Sequence, residues 1–314
     1  MLRDETIQAD AVVIGSGLGG LGAAGYLSRD GHRVVVLEHH TVPGGYAHEF
    51  KRRGFRFEVA LHALDGAGRG GWLQPMLDDL GVLDRVEFTE IDPFYTARFP
   101  DLEITVRGDL ADYLAELKEA FPAESAGIDD LFSAIARIAS DTARYSEDRT
   151  SGSRPSAMEM MERYPDMAQA FSLTWQTFMA TYVGDPRLQA VISTLWGYFG
   201  LPPSRVSAGL FALALHSYHT SGAWYPRGGS QAMSRAIVEG IVQRGGSVHF
   251  RNRVMGIEIE EGRAVAVRTD RGLRVEADVV VSNASPAATV AMAGEAHFDE
   301  PFLASVKRDV PAMS

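Results

Sequence analysis

The sequence predicts an α/β fold, and three observations predict it. Residues 11–14 are a short apolar run with three β-branched side chains, the pattern of a strand buried on both faces. Gly15, Gly17 and Gly20 follow at G-x-G-x-x-G spacing and open a small-residue segment, 21–27, that closes at Gly31. Val34–Leu37 is a second buried strand, ended by Glu38. Strand, glycine turn, helix and strand in this order make a Rossmann-like unit for a dinucleotide.

Each part has a physical task. Gly15 allows the tight turn out of the strand, Gly17 lets a pyrophosphate approach the backbone, and Gly20, with Ala24, keeps the helix close to the sheet. The helix start offers unpaired N–H groups to the phosphates. Glu38 stands at a strand end, where its carboxylate can accept hydrogen bonds from ribose hydroxyls.

Composition sets outer limits. The chain has 314 residues and is 46% hydrophobic, enough for a large core or two domains. A net charge of −11, with no basic block beyond Lys51-Arg52-Arg53, argues against nucleic acid as a partner. The absence of cysteine excludes disulfides, thiolate metal sites and cysteinyl flavin. The polar start shows no signal peptide, and no apolar run approaches the roughly 18 residues of a membrane span. A cytoplasmic protein is expected, with peripheral membrane association left open.

Beyond Glu38, Pro43-Gly44-Gly45 marks a loop whose backbone can come close to a ligand. Residues 50–59 read as a hairpin, with Phe55, Phe57 and Val59 alternating and a turn near Arg53-Gly54. Residues 72–80 read as a helix, and 86–88, 94–99 and 103–106 as short strands. From 109 to 219 the pattern is mostly helical and heavy in aromatic and Met side chains, among them Phe171, Trp175, Phe178, Met179, Trp196, Tyr198 and Phe211. That stretch reads as an ordinary helical core or as an apolar tunnel for a lipophilic substrate. A helix at 231–244 stops at Gly245-Gly246. Strands follow at 247–250, 254–260, 264–269 and 273–277, and 278–282 is one more buried strand leading into Asn283-Ala284-Ser285-Pro286.

Four pieces together resemble the FAD-dependent family of phytoene desaturases, carotenoid isomerases and retinol saturases: VVIGSGLGGLGAAGYLSRDGHRVVVLE, PGGYAHEF with GFRFEV behind it, WYPRGGSQAMSRAIVEGIVQRGGSV, and EADVVVSNASP. Val59-Ala60-Leu61-His62 is more similar to the retinol saturase and carotenoid isomerase side, with Ala60 in place of a glycine. The resemblance implies a discontinuous FAD-binding domain, residues 1–70 and 225–314, with a mostly helical α+β substrate domain, residues 71–224, inserted. Carried over by position, Gly15, Gly17, Gly19, Gly20 and Glu38 would hold the ADP half of FAD, and Gly44 and Gly45 would line the flavin side. Val254 would meet the adenine through its backbone, Asn283 and Ala284 would pass near the cofactor, and Gly228-Gly229 would lie near the substrate-side entrance. The resemblance alone separates FAD from NAD, because the glycine motif serves both. Family chains are longer and return to the flavin in a C-terminal segment, so the resemblance implies a partial chain here.

The activity implied is FAD-dependent desaturation or saturation of a C–C bond in a lipophilic polyene or isoprenoid such as a carotenoid or retinoid. The alternatives are a cis–trans isomerase using reduced flavin, a catalytically incomplete FAD-binding fragment, and a flavin amine oxidase, against which the PRGG and SNASP segments speak. His62, Tyr225 and Arg227 are the candidate proton-handling or polarising groups, His62 reading equally as a structural histidine beside a turn. His216 and His219 lack a third ligand, so no metal is expected. Lys51-Arg52-Arg53 reads first as a solvated turn and second as a membrane-surface contact. The oligomeric state is not set by the sequence.

Overall fold

The computed structural model describes residues 5–308; the polar start at 1–4 and the tail at 309–314, the end of the expected 225–314 segment, lie outside the described residues. The chain divides into two compact units. The first takes the described chain up to His62, Gln74–Thr89 and the chain from Tyr225 onward; the second takes Ala63–Leu73 and Glu90–Trp224. Residues 74–89, which the sequence reading assigns to the insert, thus cluster with the first unit. The reason is packing: the Leu80 side chain lies against Gly25, and the Leu80 carbonyl accepts a hydrogen bond from Arg244.

In the first unit we label β1 (Glu5–Ile14), α1 (Leu18–Arg29), β2 (Val34–Leu37), β3 (Glu49–Arg52), β4 (Phe55–Glu58), α2 (Ser230–Gln243), β5 (Ser247–His249), β6 (Val254–Glu260), β7 (Arg263–Thr269), β8 (Leu273–Ser282) and α3 (Pro286–Ala293). Six of these strands form one sheet in the order β6-β7-β8-β1-β2-β5. β1 pairs in parallel with β2 and β8, β2 pairs in parallel with β5, and β6, β7 and β8 are antiparallel. This is the Rossmann-like arrangement, with Val12, Val36, Leu21 and Val275 fully buried. Parallel strands covered on both faces read as continuous apolar runs, which is why residues 11–14 and 34–37 are legible.

Three strand assignments differ from the sequence reading by more than one residue. β1 begins at Glu5, because its polar start pairs residue by residue with β8 from Glu5↔Leu273 to Ala9↔Ala277. Residues 273–277 and 278–282 are one strand, not two, and Val279 in its second half is 48% exposed rather than buried. The strand expected at 86–88 lies at Phe88–Glu90, because a 3-10 turn at Leu83–Arg85 precedes it and takes the Val86 N–H onto the Leu83 carbonyl.

The second unit pairs the strands Tyr95–Phe99 and Leu102–Val106 and adds helices whose starts are set by local chemistry. Asp109 caps Leu110–Ala120, Ser156 and Glu159 form a capping box on Ala157–Arg163, and Asp185 caps Pro186–Ile192, which opens on a proline. Helix Ser125–Thr150 lays Ile128, Leu131, Ile135 and Ile138 into the core. Trp175, Phe178, Met179 and Phe211 are core residues, whereas Phe171, Trp196 and Tyr198 are exposed. Trp175 stacks on Phe211 with ring centroids 4.7 Å apart and donates its indole N–H to Ser193 at 2.9 Å. Among the described residues, no helix is long and apolar enough to cross a membrane.

Candidate cofactor site

The site begins where β1 stops. The Gly15 N–H donates to the Leu37 carbonyl at 2.8 Å, and the backbone then turns with a φ of +91°, a conformation that costs glycine little. Gly17 precedes α1 with no side-chain cap, and no acidic residue stands in the first turn. The helix start therefore keeps unpaired N–H groups and the positive end of its dipole for an outside anion.

A second glycine loop closes on the first. Gly44 donates its N–H to the Ser16 carbonyl at 2.8 Å and pairs with Gly17 as a parallel bridge. With φ at +119°, Gly44 could not carry a side chain without strain, and a Cβ there would run into the Ala47 carbonyl and meet the Ser234 hydroxyl at 2.6 Å. A Cβ on Gly45 would lie 2.9 Å from the Gly17 Cα. The Asn283 amide lies across the helix start: a Cβ on Gly17 would be 2.7 Å from its Nδ2, and one on Gly19 would be 2.8 Å from its Oδ1. A Cβ on Gly20 would collide with the Gly15 carbonyl, so that glycine serves helix–sheet contact.

Glu38 is 4% exposed and keeps its charge through hydrogen bonds. Its Oε2 accepts from the Ser16 N–H at 2.8 Å and the Ser16 hydroxyl at 2.6 Å; its Oε1 accepts from the His40 N–H at 2.7 Å and lies 3.1 Å from His39 Nδ1. Burial pushes the carboxyl up, but the donors from Ser16 and His40 outweigh it and hold the group below the usual glutamate value.

A cavity of about 1130 Å³ opens over these elements. It brings together Gly15, Gly17, Glu38, Gly44, Gly45, Val254, Asn283 and Ala284, with His39, His40, His48 and Met292 around them. Gly19 and Gly20 are not on its lining. A backbone cradle that excludes Cβ atoms, an uncapped helix start and a buried carboxylate beside them fit a dinucleotide.

His62, Tyr225 and Arg227 do not line the cavity. His62 is exposed in a loop. Arg227 is exposed, with an ion pair to Glu87 at 3.1 Å. Tyr225 is half-buried and donates its hydroxyl to Glu58 at 2.5 Å; burial first, and then the Glu58 carboxylate, raise its proton affinity far above the ordinary tyrosine value. Glu58 also accepts from the Ser230 N–H at 2.7 Å and the Ser230 hydroxyl at 2.6 Å, so it caps α2 from outside that helix. Ser16 and Glu58 escaped the sequence reading. Ser16 carries a signal only as the middle residue of Gly-Ser-Gly; Glu58, one residue past Phe57, carries none, because its partners are 167 and 172 positions away.

Comparison with known proteins sets this geometry in a family. Residues 18–309 match the family described as flavin containing amine oxidoreductase, and the chain belongs to that family. A flavin cofactor is implied by it. The all-trans-retinol 13,14-reductase of Rattus norvegicus is 30% identical over 287 residues, covering 88% of this chain and 47% of that one. Prolycopene isomerase 2, chloroplastic, of an Oncidium hybrid cultivar is 30% identical over 297 residues, covering 90% and 49%. The chain spans about half the length of the curated relatives it matches. A solved Pyrococcus furiosus protein shares the fold with a TM-score of 0.69 at 22% identity, over 97% of this chain and 66% of that one. The resemblance to retinol saturases and carotenoid isomerases is met by these relatives; amine oxidation enters through the name of the wider family and through a solved putrescine oxidase that shares the fold, with a TM-score of 0.67 at 17% identity over 96% of this chain and 64% of that one.

Proposed function

We propose that the first unit binds FAD and that the protein is an oxidoreductase acting on C–C bonds of a lipophilic polyene or isoprenoid. The observation that carries the reading is the meeting of the two glycine loops, Glu38 and Asn283 in one cavity. In this reading Gly15, Gly17 and the start of α1 hold the pyrophosphate, Glu38 accepts from the ribose, the Val254 backbone meets the adenine, and Gly44, Gly45, Asn283 and Ala284 line the path toward the flavin. Bound there, a flavin supplies hydride transfer to or from carbon. The chain's own part is to exclude side chains from the cradle, to present N–H donors, and to keep the Glu38 carboxylate ionised in a buried place. Tyr225 holds its proton across the physiological range and donates it to Glu58, which fixes the strand of Tyr225 against the start of α2.

The relatives support the substrate class: one is named for reduction of all-trans-retinol and the other for isomerisation of prolycopene. The second name favours an alternative in which the double bond is turned and no net redox occurs. Both readings are tested by incubating the FAD-reconstituted chain anaerobically with each compound, under oxidised and reduced flavin. A mass change of two hydrogens supports oxidoreduction. A product of unchanged mass, with no acceptor consumed, supports isomerisation. Bound FAD with neither product points to the third reading, an FAD-binding portion that is catalytically incomplete.

A further inference from the structure

The hairpin of β3 and β4 is built inside out. Its register pairs Glu49 with Glu58, Phe50 with Phe57, Lys51 with Arg56 and Arg52 with Phe55, across a turn in which Arg53 and Gly54 both have positive φ. Side chains alternate between the faces of a strand, so Phe50, Arg52, Phe55 and Phe57 share one face and Glu49, Lys51, Arg56 and Glu58 the other. The carboxylate face is the one turned to the protein. Glu58 holds Tyr225 and Ser230, and the Glu49 side chain, 10% exposed, is paired with Arg56 at 3.3 Å. The aromatic face is turned to water: Phe50, Phe55 and Phe57 are 48%, 71% and 44% exposed, with Phe50 and Phe57 stacked 5.2 Å apart. A two-faced antiparallel sheet ordinarily buries its apolar side and wets its polar side.

The cations complete the pattern. Lys51-Arg52-Arg53 is the one run of three consecutive basic residues in a chain of net charge −11. Among the described residues, no ion pair engages any of the three. Arg52 shares the aromatic face and Arg53 stands in the turn beside it, while Lys51 lies on the opposite face; phenyl rings with these two guanidinium groups beside them match the boundary of an anionic bilayer, where rings enter the headgroup layer and cations meet lipid charges. A second copy of the hairpin fits less well, because it would set Arg52 and Arg53 against the same two cations of the copy.

We propose that the aromatic face of this hairpin docks the protein on an anionic membrane surface. The proposal stands apart from the substrate reading, because it uses residues outside the cofactor cavity.

The test is co-sedimentation of the full chain with phosphatidylcholine vesicles, with and without phosphatidylserine, at low and high salt. The wild-type protein should bind the phosphatidylserine vesicles, release as salt rises, and bind pure phosphatidylcholine at least about ten-fold more weakly. The triple change Lys51→Glu, Arg52→Glu and Arg53→Glu should weaken binding by about a hundred-fold. The pair Phe55→Ser and Phe57→Ser should weaken it by about ten-fold while the far-UV dichroism stays unchanged. Should either variant fail to fold, the lipid and salt dependence of the wild-type protein decides. Wild-type protein that ignores phosphatidylserine, or variants that bind as well as wild type, would overturn the proposal. So would a dimer that Phe55→Ser dissolves, which would assign the face to a second copy.

Discussion

Glu38 in the first unit and His219 in the second are both ionisable and both buried, and their surroundings treat them in opposite ways. Glu38 is met by the Ser16 N–H and hydroxyl and the His40 N–H, so it stays charged. His219 lies flat on Tyr113, ring centroids 4.6 Å apart and 10° from parallel, and among the described residues neither its Nδ1 nor the Tyr113 hydroxyl has a hydrogen-bond partner. Burial, and then His216, push its proton affinity down to about 4, against a smaller opposing effect of Asp109. The first unit maintains a charge where a ligand can reach it. At His219 the second unit suppresses charge and fills the space with aromatic packing. Stability and binding should therefore respond to different substitutions.

The largest effect is expected from Trp175→Ala. Removing a fully buried indole should cost about 3–5 kcal/mol in urea unfolding while FAD affinity of the folded protein stays put. A parallel loss of affinity would break the division. Next comes Glu38→Ala, which removes a charged acceptor worth about 1.5–3 kcal/mol and should lower FAD affinity by roughly ten- to a hundred-fold in a fluorescence titration. Because the folded carboxyl lies below its unfolded value, its stabilisation is present above the unfolded value and fades as pH falls through the folded one. An unchanged affinity would remove Glu38 from the site.

His219 has the same sign for another reason. Between pH 6.5 and about 4 the unfolded histidine takes a proton that the folded one refuses, so stability falls as pH falls through that window. His219→Phe keeps a ring against Tyr113 and should recover about 2 kcal/mol of the loss seen between pH 7 and pH 5. The same loss in the variant would assign it to other groups. The smallest effect belongs to Ser156→Ala, which opens the capping box on Ala157–Arg163 and should cost about 1 kcal/mol without touching flavin.

The two units also differed in how much of them could be read in advance. The sheet of the first unit announced itself because parallel strands are apolar on both faces and the glycine turn has few other uses; Gly15, Gly17, Glu38, Gly44, Gly45, Val254, Asn283 and Ala284 all reach one cavity. What escaped was long-range. Nothing local shows that Glu58 closes on Ser230, that β1 begins at Glu5 because β8 supports it, or that residues 74–89 pack on α1. In the second unit the aromatic load was plain, but its partition between the buried Trp175 and the exposed Trp196 depends on helix orientation, which short irregular helices do not encode in their periodicity.

The central claim is that the glycine cradle holds FAD, and one measurement tests it most directly. The chain and its Gly17→Val variant are each incubated with FAD, freed of excess by gel filtration and read by visible absorption. The account predicts a flavin spectrum at stoichiometric level on the wild-type chain and none on the variant, whose added side chain would start 2.7 Å from the Asn283 amide. A wild-type chain that emerges colourless, or a variant that retains flavin equally, would contradict it.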